Sequence, residues 1–228
     1  MKEEERNLGG LRAVTVGDAS TAEQAVVLLH GFTMTARDLA PFAHSLSLPA
    51  PAWFVFPDGP HAGDPSGHAW WPMDGAERAR SIARGPRDFA ERHPPELAAS
   101  RDAVSALVTA LPLPLARVVL GGFSQGAMVC CDAVVRGLVR PAALVLLSGS
   151  RIAFDEWTPH LEADHLRGLP VFLAHGHSDE DLAFTAGTAL RDCLVHAGAS
   201  VQFHPFDGGH EIPLVVWRAL RKFLSAPP

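Results

Sequence analysis

The chain has 228 residues, 47% of them hydrophobic, which is enough to bury one substantial core, and we expect a single domain over residues 1–228. Nineteen basic and 25 acidic residues give a formal charge of −6, so the chain lacks the basic surface that binds the phosphates of nucleic acid. The apolar runs fall far short of the ~20 residues of a membrane span, the amino terminus is acidic, and the three cysteines form no disulfide framework, which together predict a cytoplasmic location.

Short β-branched or leucine-rich runs alternate with longer helix-like stretches along the chain. This alternation predicts an α/β fold with a mostly parallel central sheet flanked by helices on both faces. The predicted strands are residues 11–16, 24–30, 53–56, 116–122, 143–149, 171–176 and 201–206. The predicted helices are residues 35–47, 95–110, 126–139, 182–197 and 211–225.

Arginines and acidic residues are interleaved from Glu77 to Arg101, between the third predicted strand and the fourth. Mixed charge on a surface needs no ligand to explain it. We expect this stretch to be a solvated helical face.

A GxSxG pentapeptide, GFSQG at residues 122–126, joins the predicted strand 116–122 to the predicted helix 126–139. A serine hydroxyl is a poor nucleophile unless a sharp turn exposes it to a base and to backbone amides. Gly122 and Gly126 permit such a turn, because a β-carbon at either position would crowd the neighbouring strand and helix. The pattern predicts that Ser124 is a catalytic nucleophile. The plainer alternative is a glycine-rich turn that merely contains a serine.

The amide of Gln125 is one predicted donor to an oxyanion, since it lies at the amino end of the helix that follows the serine. A second donor has to come from another loop, and the turn after the predicted strand 24–30 supplies the N–H of Phe32. We expect His30, in the same turn, to hold the turn in place rather than to act as a base.

The acid and the base are expected after the serine, in that order and each after a strand. Asp179 follows the predicted strand 171–176, and His210 lies in a glycine-rich loop after the last predicted strand. We predict that His210 accepts the Ser124 proton while Asp179 orients the imidazole.

Other residues compete for both roles. His196 and His204 fall in a predicted helix and a predicted strand, from which a side chain cannot easily reach a serine in a loop. Glu180 and Asp181 stand beside Asp179, and we expect Asp181 to be the N-cap of the helix predicted over residues 182–197.

The segment that holds the acid allows a metal-site interpretation. His175, His177 and Asp179 form the HxHxD pattern that opens the metal site of metallo-β-lactamase-like hydrolases. Such sites continue with histidine where this chain has Glu180, and only 49 residues remain in which to find further ligands. We expect no metal and no other cofactor, and we keep a metal-dependent hydrolase as a minor alternative.

The motifs LLHGF, GGFSQGA, HGHSDED and GGH together resemble the phospholipase/carboxylesterase family of α/β-hydrolases, which includes the acyl-protein thioesterases. The resemblance extends from about Ala25 to Leu224. It implies an α/β-hydrolase fold and hydrolysis of carboxylic esters, thioesters or lysophospholipids through an acyl-enzyme. The residues at the matching catalytic and oxyanion positions are Ser124, Asp179, His210, Phe32 and Gln125.

The segment WWPMD at residues 70–74 resembles the Trp-Phe-Asp segment that lies beside the active site in that family. This resemblance places Trp71 in the wall of an acyl pocket, and the alternative is a tryptophan of the plain core. The chain departs from the family in reading HGFTMTARDL where eukaryotic thioesterases have HGLGD, and in having Ala127 where a second glycine is usual. These departures favour a general esterase over an acyl-protein thioesterase. The short segment from Ser150 to Pro170 predicts that no large lid covers the site.

The expected partner is a small-molecule acyl ester or thioester, and the sequence leaves a homodimer open. Because a fold does not determine a function, a non-catalytic ligand-binding protein on the same scaffold is the second hypothesis. Such proteins commonly lose a member of the triad, whereas this chain has a candidate for each.

Overall fold

The structure, a computed structural model, describes residues 1–46 and 48–225. Its strands are β1 Glu3–Leu8, β2 Leu11–Val16, β3 Gln24–Leu29, β4 Ala52–Pro57, β5 His61–Ala62, β6 His68–Ala69, β7 Val118–Phe123, β8 Ala143–Leu147, β9 Pro170–Gly176 and β10 Ser200–Phe206. Its helices are α1 Ala36–Leu39, α2 Phe42–Leu46, α3 Gly75–Ala83, α4 Leu97–Thr109, α5 Gln125–Val135, α6 Thr158–Leu161, α7 Phe184–His196 and α8 Leu214–Leu224.

Eight strands form one sheet in the order β1-β2-β4-β3-β7-β8-β9-β10. The strands from β4 to β10 in this order are parallel, whereas β1 and β2 run antiparallel at one edge. The carboxyl ends of β3, β7, β9 and β10 therefore meet at one edge of the sheet. In open parallel sheets this is the edge where ligands bind.

Apolar side chains from alternate positions of the strands pack on opposite faces of the sheet. One buried cluster joins the sheet to α4, α5 and α7, and a second joins it to α1, α2 and α8. β7 and β8 are buried at every position, as expected of strands that are covered on both faces. The predicted α/β fold, with helices on both faces of a mostly parallel sheet, is confirmed.

All seven predicted strands are present within two residues of their predicted ends, but the edge hairpin was not predicted. β1 pairs with β2 in register from Glu3 opposite Val16 to Leu8 opposite Leu11. Its sequence, EEERNL, has few of the residues that favour strands, and β1 is mostly exposed, so no apolar alternation marks it.

Two predicted helical regions are organised differently in the structure, and the helix predicted over residues 126–139 ends early, at Val135, shortly before Gly137 with φ 72°. The predicted helix 35–47 is divided into α1 and α2, because Pro41 has no N–H with which to continue the helical hydrogen bonds. Residue 47, the predicted end of that helix, lies outside the described residues. The stretch from Glu77 to Arg101, predicted as one solvated helical face, contains the end of α3, a loop and the start of α4.

Only short turns connect β8 to β9, namely α6 and two single 3₁₀ turns within residues 148–169. No large lid is therefore inserted there. Among the described residues, no helix combines the length and the apolar character that crossing a bilayer requires.

Candidate active site

Ser124 occupies the sharp turn between β7 and α5. Its backbone has φ 54° and ψ −117°, a conformation that a residue with a side chain seldom adopts. The turn is held because the N–H of Ser124 donates to the carbonyl of Leu147 at 2.8 Å, and the N–H of Met128 donates to the carbonyl of Ser124 at 3.1 Å. The side chain of Ser124 is thereby presented at the carboxyl edge of the sheet.

The two glycines of the pentapeptide allow this turn to pack closely. A β-carbon on Gly122 would lie 2.6 Å from the backbone of Gly126 and 2.8 Å from the carbonyl oxygen of Leu29. A β-carbon on Gly126 would lie 2.6 Å from the carbonyl oxygens of both Leu29 and His30. Side chains at these positions would therefore collide with α5 and β3, as predicted.

The structure brings together the three predicted triad residues. Nε2 of His210 lies 2.8 Å from Oγ of Ser124, and Nδ1 of His210 lies 2.7 Å from Oδ2 of Asp179. Because a carboxylate only accepts hydrogen bonds, this arrangement suits an imidazole with its proton on Nδ1 and a free Nε2 that accepts from the serine hydroxyl. The ring of Phe123 packs against the imidazole with 4.8 Å between ring centroids.

The carboxylate of Asp179 is buried and held by the backbone of its own loop. Its Oδ1 accepts from the N–H groups of Asp181 and Leu182, at 2.9 and 2.8 Å. These two bonds leave Oδ2 directed at His210. The side chain of Glu180, in contrast, is exposed.

The loops that carry Asp179 and His210 are bonded to each other. The N–H of His177 donates to the carbonyl of Phe206 at 2.9 Å, and the N–H of Ser178 donates to that of Gly208 at 2.9 Å. Gly176 permits the contact, since a β-carbon there would lie 2.4 Å from the carbonyl oxygen of Gly208.

The prediction that Asp181 caps the following helix is wrong. α7 begins at Phe184 with Ala183 as its N-cap, and no side chain caps it. The buried carboxylate of Asp181 instead pairs with the guanidinium groups of Arg78 and Arg87. A buried carboxylate needs compensating partners, and the two guanidinium groups supply charge as well as hydrogen bonds. The expectation of a purely solvated face at residues 77–101 is wrong at these two arginines for the same reason.

The N–H groups of Phe32 and Gln125, the predicted oxyanion donors, take part in no hydrogen bond with the described residues. Both residues line a cavity of about 50 Å³ that also contains Ser124 and His210. Two unpaired amides beside a serine hydroxyl are suited to stabilise a negative charge that develops there.

His30 holds the turn that carries Phe32, as expected. Its Nδ1 lies 2.7 Å from the carbonyl oxygen of Gly31, and its Nε2 accepts from the N–H of Gly59 at 2.9 Å. Burial lowers the pKa of His30 below its ordinary value, which favours the neutral ring that these two bonds require.

The sequence profile of the phospholipase/carboxylesterase family matches residues 12–227 of the chain. The protein belongs to this family. The match contains the turn at Ser124 and the loops of Asp179 and His210, so it includes every residue of the candidate site.

The chain is similar in sequence to an acyl-protein thioesterase over about half of its length, and similar in fold to esterases over nearly all of it. The chain is 32% identical to acyl-protein thioesterase 1 of Neurospora crassa over 120 residues, which are 50% of this chain and 47% of that protein, so the match spans about half the length of the relative. Two crystal structures cover nearly all of the chain: esterase PE8, with a TM-score of 0.76, 23% identity and 98% of each chain covered, and acyl-protein thioesterase 2 of Zea mays, with a TM-score of 0.74, 22% identity and 94% and 97% covered. At these identities the structural likeness shows the fold.

The side chain of Gln125, in the GFSQG turn, has a structural role that was not predicted from the sequence. It is buried, and its amide accepts from the N–H of Trp70 at 2.7 Å and donates to the carbonyl of Trp71 at 2.8 Å. A buried glutamine needs a hydrogen-bond partner for the oxygen and for the nitrogen of its amide. A glutamine between the serine and the glycine of the GFSQG turn could therefore have been predicted to bind a neighbouring backbone. The two bonds fix the WWPMD segment against α5.

Trp71, for which the family resemblance left open an acyl-pocket wall or the plain core, lies in the core and borders the cavity at Ser124. It is 2% exposed and packs against Phe89, with 6.4 Å between ring centroids, so it belongs to the core. It also lines the cavity that contains the side chains of Ser124 and His210 in its wall, so a role beside the predicted nucleophile stays a prediction.

The HxHxD residues do not converge on a metal position. Nε2 of His175 lies 3.0 Å from the carbonyl oxygen of Leu182, and the ring of His177 packs against Phe184 with 4.4 Å between centroids. Within residues 1–46 and 48–225, no group of three or more histidine, cysteine, aspartate or glutamate side chains is arranged to hold a metal ion. Oδ2 of Asp179 lies 2.7 Å from Nδ1 of His210 and 3.4 Å from Nε2 of His175.

Proposed function

We propose that the protein is a serine carboxylesterase that hydrolyses small carboxylic esters or thioesters through an acyl-enzyme. The observation that carries the proposal is the continuous chain of hydrogen bonds from Asp179 through His210 to Ser124, at 2.7 and 2.8 Å. Membership of the phospholipase/carboxylesterase family supports the same reaction class.

In the first step, Oγ of Ser124 attacks the carbonyl carbon while its proton moves to Nε2 of His210. The carbonyl oxygen becomes an oxyanion that accepts from the N–H groups of Phe32 and Gln125. The protonated His210 then gives its proton to the departing alcohol or thiol, leaving an ester between the acyl group and Ser124.

The second step repeats the chemistry with water. His210 removes a proton from water, the resulting hydroxide attacks the acyl-enzyme, and Ser124 leaves with the proton from His210. Asp179 stays ionised throughout and stabilises the imidazolium that forms in each step.

The cellular location belongs to the proposal as well. All three cysteines are free thiols, and two of them, Cys130 and Cys131, are buried. Burial raises the pKa of both buried thiols, which leaves them as unreactive apolar groups. This chemistry suits the cytoplasmic location that the sequence predicts.

The replacement Ser124→Ala tests the mechanism. We expect kcat for a short p-nitrophenyl ester to fall by about 10⁵-fold or more, because no other group can form the acyl-enzyme. Labelling by a fluorophosphonate, followed on a gel and by mass spectrometry, should disappear with it.

Ser178→Ala is a matched control, because Ser178 is an exposed serine in the loop of Asp179. It should keep both activity and labelling. Retained labelling of the folded Ser124→Ala protein, or wild-type protein that reacts with neither the ester nor the fluorophosphonate, would contradict the proposal.

A further inference from the structure

Two arginines share one carboxylate beside the candidate active site. Arg78 lies on α3 and Arg87 in the loop that follows, and a different oxygen of Asp181 accepts from Nη2 of each. The side chain of Asp181 is 7% exposed, while those of Arg78 and Arg87 are 33% and 15% exposed. One negative charge is thus surrounded by two positive charges in a site largely shielded from water.

The excess of positive charge extends to the cavity at Ser124, because the same three side chains line it. The titratable groups that line it are Arg78, Arg87, Asp181 and His210. With a neutral imidazole, the wall carries one net positive charge. The buried carboxylate of Asp179 does not line the cavity, although its charge acts on Arg87 and partly opposes the lowering of the pKa of that guanidinium.

Both guanidinium groups keep donors that no protein group uses. Among the described residues, Nε and Nη1 of Arg78 and Nη1 of Arg87 have no acceptor, and none of these atoms is sealed from solvent. Burial lowers the pKa of Arg87 to about 10, with a further contribution from the charge of Arg78. A second anion between the two arginines would relieve that repulsion and accept from the free N–H groups.

Arg78 lies near the loop that is proposed to bind the carbonyl oxygen of the substrate. Its guanidinium carbon lies 6.0 Å from the centroid of the Phe32 ring, and Phe32 carries one of the proposed oxyanion donors. The cavity of about 50 Å³ has room for only a few heavy atoms next to Ser124. An anionic group that reaches the arginines through this inner cavity is therefore separated from the scissile bond by a short linker.

The larger cleft outside this cavity has a different charge balance. It has a volume of about 510 Å³ and continues from the inner cavity through Trp71, Arg78, Arg87 and Phe89, which line both. Four arginines and four acidic residues line this cleft, so the two signs balance in number there. Selectivity for charge is accordingly expected at the inner end, close to Ser124.

Resting on the esterase function proposed above, we propose that Arg78 and Arg87 form a subsite for a carboxylate of the substrate. The preferred substrates are then short esters that carry a free carboxylate a few bonds from the scissile carbonyl, such as half-esters of small dicarboxylic acids. Asp181 orients the two guanidinium groups for this contact.

Pairs of esters that match in shape and differ in charge test the subsite. Monoethyl succinate and ethyl levulinate place a carboxylate or a methyl ketone on the acyl side, and O-acetylglycolate and acetoxyacetone do the same on the leaving-group side. For wild-type enzyme we expect kcat/KM, measured by proton release, to favour the charged member of one pair by about tenfold or more, the ratio that a charge-assisted hydrogen bond supplies. The pair that shows the preference identifies the side of the ester that faces the arginines.

Arg78→Gln should reduce the ratio of kcat/KM for the charged ester to kcat/KM for its neutral partner by most of this tenfold preference, because one charge-assisted partner of the substrate carboxylate is lost. Arg80→Gln is the matched control on the same helix, since Arg80 is exposed and lines neither cavity. Arg78→Lys, which keeps the charge, should restore part of the preference.

Three results would overturn the subsite, and they can be told apart. Wild-type enzyme that hydrolyses both members of each pair equally has no charge recognition. An Arg78→Gln enzyme that loses activity on neutral and charged esters alike shows that the arginine only supports the Asp179 loop. Failure of wild-type protein to hydrolyse any ester or to react with a fluorophosphonate would remove the esterase function itself, and the subsite with it.

Discussion

At the level of single residues, the candidate site depends on two carboxylates that stand two positions apart and have different partners. Asp179 accepts from the amides of its own loop and from His210, whereas Asp181 pairs with Arg78 and Arg87. One carboxylate is therefore available to a base, while the other is committed to two cations.

Replacement of Asp179 by asparagine tests its role. An amide in place of the carboxylate can donate to Nδ1 of His210 and so stabilise the wrong tautomer, with the proton on Nε2, and it cannot stabilise the imidazolium. We expect kcat for a short ester to fall by about 10³- to 10⁴-fold with little change in KM. Steady-state kinetics of the purified variant measure this effect.

Glu180→Gln serves as the control for the same loop, because Glu180 is the exposed acidic neighbour of Asp179. Its activity should remain near that of the wild type. A large loss in Glu180→Gln together with an active Asp179→Asn enzyme would transfer the role of the acid to Glu180.

At the level of elements, the junction of β7 and α5 is tightly packed against the neighbouring strand. Gly126 lies against the backbone of β3, so the first turn of α5 touches the turn that carries Phe32. This contact brings the two proposed oxyanion donors together, because Gln125 precedes Gly126 directly.

Gly126→Ala should destabilise the fold by about 1–3 kcal/mol, since the new methyl group would lie 2.6 Å from two carbonyl oxygens and the backbone would have to shift. Urea unfolding, followed by tryptophan fluorescence, measures the loss. Gly209→Ala offers a comparison, because a β-carbon there meets nothing closer than 3.7 Å. Equal stability of the two variants would show that the packing at Gly126 adapts without cost.

The hairpin of β1 and β2 could have been predicted from the glycine pair that connects its strands. Gly9 and Gly10 join the two strands, with φ 58° and φ 90°. A two-residue Gly-Gly connection is typical of a tight hairpin, because both positions need a positive φ. The charged sequence of β1 concealed this signal, since strands are recognised mainly by apolar residues.

At the level of the whole molecule, burial of ionisable groups beside the site links stability to pH. His175 is buried behind Asp179, and its Nε2 lies 3.0 Å from the carbonyl oxygen of Leu182. Burial lowers the pKa of His175, although the charge of Asp179 opposes the shift. The folded protein therefore takes up this proton at a lower pH than the unfolded chain does.

Because the pKa of His175 is lower in the folded protein than in the unfolded chain, the free energy of unfolding should decrease as the pH falls. An unfolded histidine is protonated below about pH 6.5, so the stability due to a neutral His175 is present above that pH and is lost as the pH falls towards the lower folded pKa. His175→Gln keeps a donor for Leu182 but does not titrate. The difference in unfolding free energy between wild type and this variant should narrow by up to ~1.4 kcal/mol per pH unit below about pH 6.5.

Urea unfolding at about pH 8 and about pH 5.5 would measure both proteins on either side of the histidine titration. His196→Gln is a suitable control, since His196 is exposed at the end of α7 and its replacement should leave the stability difference independent of pH. A difference between wild type and His175→Gln that stays constant with pH would contradict the assignment.

The sequence alone determined the fold class and the triad candidates, because both depend on local patterns. Apolar runs of strand length mark β2 to β4 and β7 to β10, and the GFSQG turn, Asp179 and His210 each lie at or shortly after the end of one of those runs. The order of these motifs along the chain was sufficient to select the residues that the structure brings within hydrogen-bonding distance.

Only the tertiary structure decided the partners that are distant in sequence. The pairing of Asp181 with Arg78 is formed between side chains 103 positions apart, and the contact of Gln125 with Trp70 spans 55 positions. Nothing local requires either contact, because an arginine in a mixed-charge stretch and a polar side chain at a helix start are both satisfied by water. Folding removes that water, and a buried polar or charged group must then find whichever partner the packing of the sheet and helices brings to it.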